Sequence, residues 1–111
     1  MKKIEAVIQS EKQQAVIEAL VAQGVGGLIV TRSLGRGAGE RPRIGGKKGE
    51  EIKYNAIDTI ITVVDDSKVD SVTSAISNAA YSGKKGDGKI FVSTIDEAID
   101  IFTKEKGTKA L

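Results

Sequence analysis

The sequence predicts an α+β fold, a ferredoxin-like βαββαβ unit whose antiparallel sheet carries two helices on one face. Three observations predict it. The hydrophobic period switches between two and 3.6 in the order strand, helix, strand, strand, helix, strand. Capping patterns and glycines punctuate the two helical stretches. The 111 residues suit a single domain, 1–111, with one modest core.

The first strand spans residues 2–8, where Ile4, Ala6 and Ile8 alternate with Lys3 and Glu5. Ser10 to Gln13 reads as a capping box, with Ser10 as N-cap and Gln13 reaching back. Val16, Ile17, Leu20 and Val21 then follow at helical spacing, and Gly24 is a C-terminal stop, so a helix is predicted over 11–23. Gly27 to Leu34 reads as a second strand through its β-branched run Ile29-Val30-Thr31. Ala56 to Val64 is a third, dense in Ile, Val and Thr.

Ser67 to Asp70 offers another cap, followed by one helical face of Val69, Val72, Ala75, Ile76, Ala79 and Ala80 that ends at Gly83. Ile90 to Val92 is the fourth strand. Thr94 to Glu97 resembles a third capping box, which predicts a short helix to about residue 101 and a loosely held polar tail. The third strand is apolar on both parities, with Ile60 and Val64 against Ile61 and Val63. Two helices cover one face only, so the other face predicts association between subunits.

Residues 35–54 break every period. They hold six glycines, the single proline Pro42, and six Lys/Arg against three Asp/Glu, whereas the whole chain carries only +2. A loop this long inside a compact domain is expected to be functional. Its composition fits either a mobile arm that docks on a partner or grips anions, or a solvated insertion.

Composition narrows the chemistry. There is no cysteine and no histidine. Disulfides, thiol nucleophiles, most soft-metal sites and the imidazole base are therefore excluded. Aromatics make up 4% of the chain, which speaks against an RNA-binding sheet, whose exposed strands need stacking rings. No Arg–Asn pair suggests an acylphosphatase-like hydrolase, and an enzyme is not expected. No stretch approaches the roughly 18 apolar residues of a membrane span, and the charged start does not continue as a signal peptide. A cytoplasmic protein that does not insert into membranes is expected.

Gly83-Lys84-Lys85-Gly86-Asp87-Gly88-Lys89 is the segment best suited to a ligand. Glycines at this spacing let backbone N–H groups converge on phosphate oxygens, and the lysines add positive charge. The same glycines also fit a helix stop followed by a tight turn. Asp65, Asp66, Asp70, Asp96 and Glu97 sit mostly at expected helix starts, where a carboxylate caps the helix dipole.

The run from Gly83 to Ser93, the opening Met1 to Ile8, Gly24-Val25-x-Gly27-Leu28, and the tail with Glu97-Ala98-Ile99 and Ala110-Leu111 resemble the PII signalling proteins over nearly the whole chain. The resemblance implies a cytoplasmic homotrimer with adenine nucleotides (AMP, ADP or ATP) in the clefts between subunits. It implies that residues 37–54 form the family's T-loop, which docks on a target such as an ammonium transporter or a metabolic enzyme, typically in nitrogen control. It assigns Gly86, Asp87, Gly88 and Lys89 to the phosphate loop, Gly35 and Gly37 to the base of the arm, and Val7 and Val63 to apolar positions near the nucleotide. Arg36, between the two arm-base glycines, is a candidate phosphate partner.

The departures from the family pattern bear on the ligand. The family glutamine that helps hold Mg-ATP and 2-oxoglutarate is absent from Gly35-Arg36-Gly37-Ala38-Gly39. Two arginines typical after the last strand are replaced by Asp100 and Phe102. The family's modified-tyrosine segment is also missing. A ligand with one or two phosphates is therefore expected over Mg-ATP with 2-oxoglutarate.

Overall fold

The computed structural model describes residues 1–36 and 55–111, so the predicted arm lies outside the described residues. Four strands, β1 (Lys2–Gln9), β2 (Ile29–Gly35), β3 (Asn55–Val64) and β4 (Gly88–Thr94), and two helices, α1 (Gln13–Ala22) and α2 (Val69–Ala80), follow in the order βαββαβ. The sheet order is β2-β3-β1-β4, with every neighbouring pair antiparallel. This is the ferredoxin-like arrangement that the periodicity predicts.

Register fixes the two faces. Ala6 lies opposite Ile60 on one side and Ile90 on the other, which puts the even residues of β1 on the helix side. Ile4, Ala6 and Ile8 are buried there against Val16 and Leu20 of α1 and Val72 and Ile76 of α2. Each fully buried Leu or Ile contributes about 1.5–3 kcal/mol, and this single layer is the core. On the opposite face Glu5 lies between Ile61 and Phe91, and Ile29 pairs with Ile61. No described helix covers that face, and Phe91 and Ile29 are 53% and 62% exposed.

Several local expectations are corrected. α1 starts at Gln13 after a short 3-10 turn over Ser10–Lys12, and no side chain caps it. The Ser10 and Gln13 side chains both turn to Asp58 instead. α2 likewise has no side-chain cap of its own; the cap stands at Asp65, ahead of the 3-10 turn Asp66–Lys68 that precedes it. The Asp65 carboxylate accepts from the Ser67 N–H at 3.0 Å and from its hydroxyl at 2.6 Å. α2 ends at Ala80, because Tyr81 is already extended, and Gly83 belongs to the following turn. Gly24 ends α1 as predicted, at φ +75.

No helix opens at Thr94. That residue completes β4 opposite Lys2, and its hydroxyl accepts from Lys2 Nζ at 2.8 Å. The tail is tied down by a bridge between Ile99 and Lys106, by a bond from Gly107 N–H to the Ala98 carbonyl, and by a 3-10 turn over Gly107–Ala110.

Candidate functional site

Strand directions bring one set of ends together. β1 and β2 finish, and β3 and β4 begin, at the same end of the sheet. Gly35, Asn55, Gln9 and Gly88 therefore share an edge of the molecule, and the loop from Ser82 to Gly88 closes over it.

That loop is shaped from within. The Asp87 carboxylate accepts from the Ser82 N–H at 2.7 Å, from the Ser82 hydroxyl, and from the Gly83 N–H at 3.2 Å. These donors, the Ser82 hydroxyl first, hold the Asp87 carboxyl below the usual carboxylate range, and Lys12 adds to the effect. Asp87 thus holds the loop's shape from within. Outside the loop, Gln9 Nε2 donates to the Gly86 carbonyl at 2.5 Å.

Gly83, Gly86 and Gly88 stand at φ +83, +93 and +123. Gly88 is the tightest: a Cβ there would lie 1.9 Å from the Val7 carbonyl oxygen. Only glycine lets β4 approach β1 at this point. Lys84, Lys85 and Lys89 are exposed around the loop. A depression of about 450 Å³ lies beside it on the helix side of the sheet, lined by Ile8, Ile76, Ala80, Tyr81, Lys84 and Gly86 among others, and so across the sheet from the face that carries Val7. Glycine-rich backbone ringed by ammonium groups suits an anion.

The predicted residues are only partly assembled in one chain. Val7 and Lys89 are cross-strand neighbours on the helix-free face, next to the loop. Val63 lies on the same face but opposite Lys3, four residues beyond the Val7–Thr59 pair, about 13 Å along the strand. Gly35 and Arg36 end β2, three strand spacings from β4, or about 14 Å. Gly37 lies outside the described residues. The predicted residues therefore fall into three places: Gly86 to Lys89 with Val7, Gly35 with Arg36, and Val63.

Beyond β4, Asp100 accepts from the Phe102 and Thr103 N–H groups at 2.8 and 2.9 Å. The Thr103 N–H foremost keeps its carboxyl below the usual range. This turn presents Ile101 and Phe102 to solvent, at 86% and 93% exposure.

Sequence reasoning missed Asp58. Its carboxylate is fully buried and takes bonds from Arg32 Nε at 3.0 Å, Ser10 Oγ at 2.9 Å and Gln13 Nε2. The Arg32 guanidinium first, with Ser10 and Gln13, holds its carboxyl below the usual carboxylate value against the effect of burial. The available signal was parity: Asp58 shares the inward phase of Ile60 and Val64, where an acid needs partners.

Among the described residues there is no group of three His, Cys, Asp or Glu placed to hold a metal. No described helix is long and apolar enough to cross a membrane.

The family model for nitrogen regulatory protein P-II matches residues 1–105. The chain is 41% identical to the nitrogen regulatory protein P-II of Porphyra purpurea and 40% identical to that of Nostoc punctiforme, over the full length of each chain. It is 38% identical to the nitrogen fixation nifHD region GlnB-like protein 1 of Methanothermobacter marburgensis, over 96% of this chain and 99% of that one.

Proposed function

Since the chain belongs to the nitrogen regulatory protein P-II family, we propose that it works as a homotrimer, binds an adenine nucleotide between neighbouring subunits, and regulates a target protein through residues 37–54. It acts by binding and not as an enzyme. The target is an ammonium transporter or a metabolic enzyme in the cytoplasm.

The observation that carries this reading is the division of the site. The Gly86–Lys89 loop and Val7 sit at one end of the sheet, and Val63 sits at the other. A second copy placed end to end across the helix-free face would bring the two together. Ile29 and Ile61 on one side of Glu5 and Phe91 on the other put apolar surface on that face, and this supplies the reason for copies to associate.

In this arrangement Lys89 and the N–H groups of the loop hold phosphate, and Val7 and Val63 line the purine. Ligand acts on residues 37–54 through Gly35 and Arg36, and only to the extent that it binds one arrangement of them better than another. Asp100 and Phe102 add no positive charge, so the most anionic ligand gains least. Calorimetry with AMP, ADP, ATP and 2-oxoglutarate, with and without magnesium, tests this. AMP or ADP is expected to bind at least as tightly as ATP, and 2-oxoglutarate weakly. A clear ATP preference refutes the ligand assignment, and the absence of binding by every nucleotide refutes the function.

A further inference from the structure

Asp58 has no place in the proposed nucleotide site, yet it joins every strand end that surrounds it. It lies on β3, three residues after Asn55. Arg32, whose Nε it accepts, lies on β2 directly opposite and four residues before Arg36. Its other two partners are Ser10, in the 3-10 turn that leaves β1, and Gln13, the first residue of α1. The residue immediately before that turn, Gln9, holds the Gly86 carbonyl of the glycine loop.

These contacts are continuous. One buried carboxylate ties β2 and β3 to Ser10 and Gln13, and the same stretch of chain reaches the loop through Gln9. A buried carboxylate with three donors tolerates little displacement, because any lost bond leaves charge unsolvated. The donors are directional, so the turn is fixed in position as well as in distance.

We propose that Asp58 is a positioning residue: by holding Arg32, Ser10 and Gln13 on one carboxylate, it sets the Gly86–Lys89 loop and the ends of β2 and β3 in the geometry that receives the nucleotide. The effect on ligand affinity rests on the functional reading above. The effect on the loop does not, and the test separates the two.

The test uses the full chain. Asp58→Asn removes the charge and sets an amide against three donors. Because that variant can fail to fold, a second, Arg32→Leu with Asp58→Val, removes the buried charge together with its exposed partner and so leaves neither charge unpaired. Amide exchange is followed in ligand-free protein over residues 83–88. A folded variant is expected to exchange there at least about tenfold faster than wild type. Gln9→Ala should give the same acceleration, and combining it with the Asp58 change should add nothing, since both cut one connection. Nucleotide affinity should fall about tenfold in parallel, a readout that stability alone would not move. Unchanged exchange in a folded variant overturns the proposal, as do independent additive effects of the Gln9 and Asp58 changes. If wild-type protein binds no nucleotide while the exchange effect persists, the positioning role stands and the nucleotide function falls.

Discussion

Replacing Gly88 by alanine attacks the site and the fold at one atom. Gly88 lies opposite Ile8 in the β1–β4 pair, at φ +123, a region that L residues rarely occupy. Holding a non-glycine residue there costs about 1–3 kcal/mol. The new Cβ would also stand 1.9 Å from the Val7 carbonyl oxygen and 3.0 Å from its carbon. Both are backbone atoms, so no side chain can rotate away, and β4 must shift by more than an ångström. Overpacking of this kind adds about 1–3 kcal/mol. The expected loss is about 2–6 kcal/mol, a large share of the roughly 5–15 kcal/mol that holds a domain folded. Gly35→Ala is the matched control. A Cβ there would meet the end of the Ile57 side chain at 2.4 Å, which can turn aside, on a backbone without the left-handed φ. Urea unfolding at one fixed protein concentration compares the two, with the slope checked for constancy. A Gly88→Ala loss below about 1 kcal/mol, or one no larger than that of Gly35→Ala, would show that the close approach of β4 to β1 is not obligatory.

Other outcomes follow from the same geometry. Lys89→Ala should weaken nucleotide binding about 10- to 100-fold, the range of a lost charge-assisted bond, with an unchanged melting curve; wild-type affinity by calorimetry removes Lys89 from the site. Phe91→Glu places a second carboxylate beside Glu5 on the helix-free face, and sedimentation should show a folded monomer where wild type is larger; an unchanged mass would mean that this face is not the contact. Asp58 and Asp87 both bind protons less readily when folded than when unfolded. Their contribution is therefore complete above the unfolded carboxylate value of about 3.9 and disappears as pH falls through the lower native values. Acid unfolding should flatten below pH 4 in Asp58→Asn relative to wild type, and an identical slope would mean that the carboxylate gains nothing from its partners on folding.

The fold was legible because its information is periodic. Ile4, Ala6 and Ile8 declare a strand with one buried face, and Val72, Ile76 and Ala80 a helix with one buried stripe. The caps expected at Ser10 and Thr94 do not form, for a different reason. Both residues have the chemistry of a cap, but a stronger local demand takes their hydroxyls: the buried charge of Asp58 for one, and the sheet edge beside Lys2 for the other. A propensity describes what a side chain can do locally, and a distant residue decides whether it does so. Within the site, the glycines of the loop were readable because positive φ and close backbone approach leave few alternatives to glycine. The inward role of Asp87 was not, since its acceptors are satisfied by its own loop.

The placement of the site residues carries a consequence for assembly. A single sheet holds Val7 and Val63 on one face but about 13 Å apart, and Gly35 and Gly88 at one end but about 14 Å apart. The elements to be joined are unlike: β2 edges one side of the sheet and β4 the other. Head-to-tail contact between such unlike edges is heterologous, and where its rotation closes it gives a ring of copies. On the proposed function, ligand binding and ring closure therefore stabilise each other: a nucleotide that touches two copies raises the affinity between them, and by linkage a closed ring binds the nucleotide more tightly than an isolated chain does.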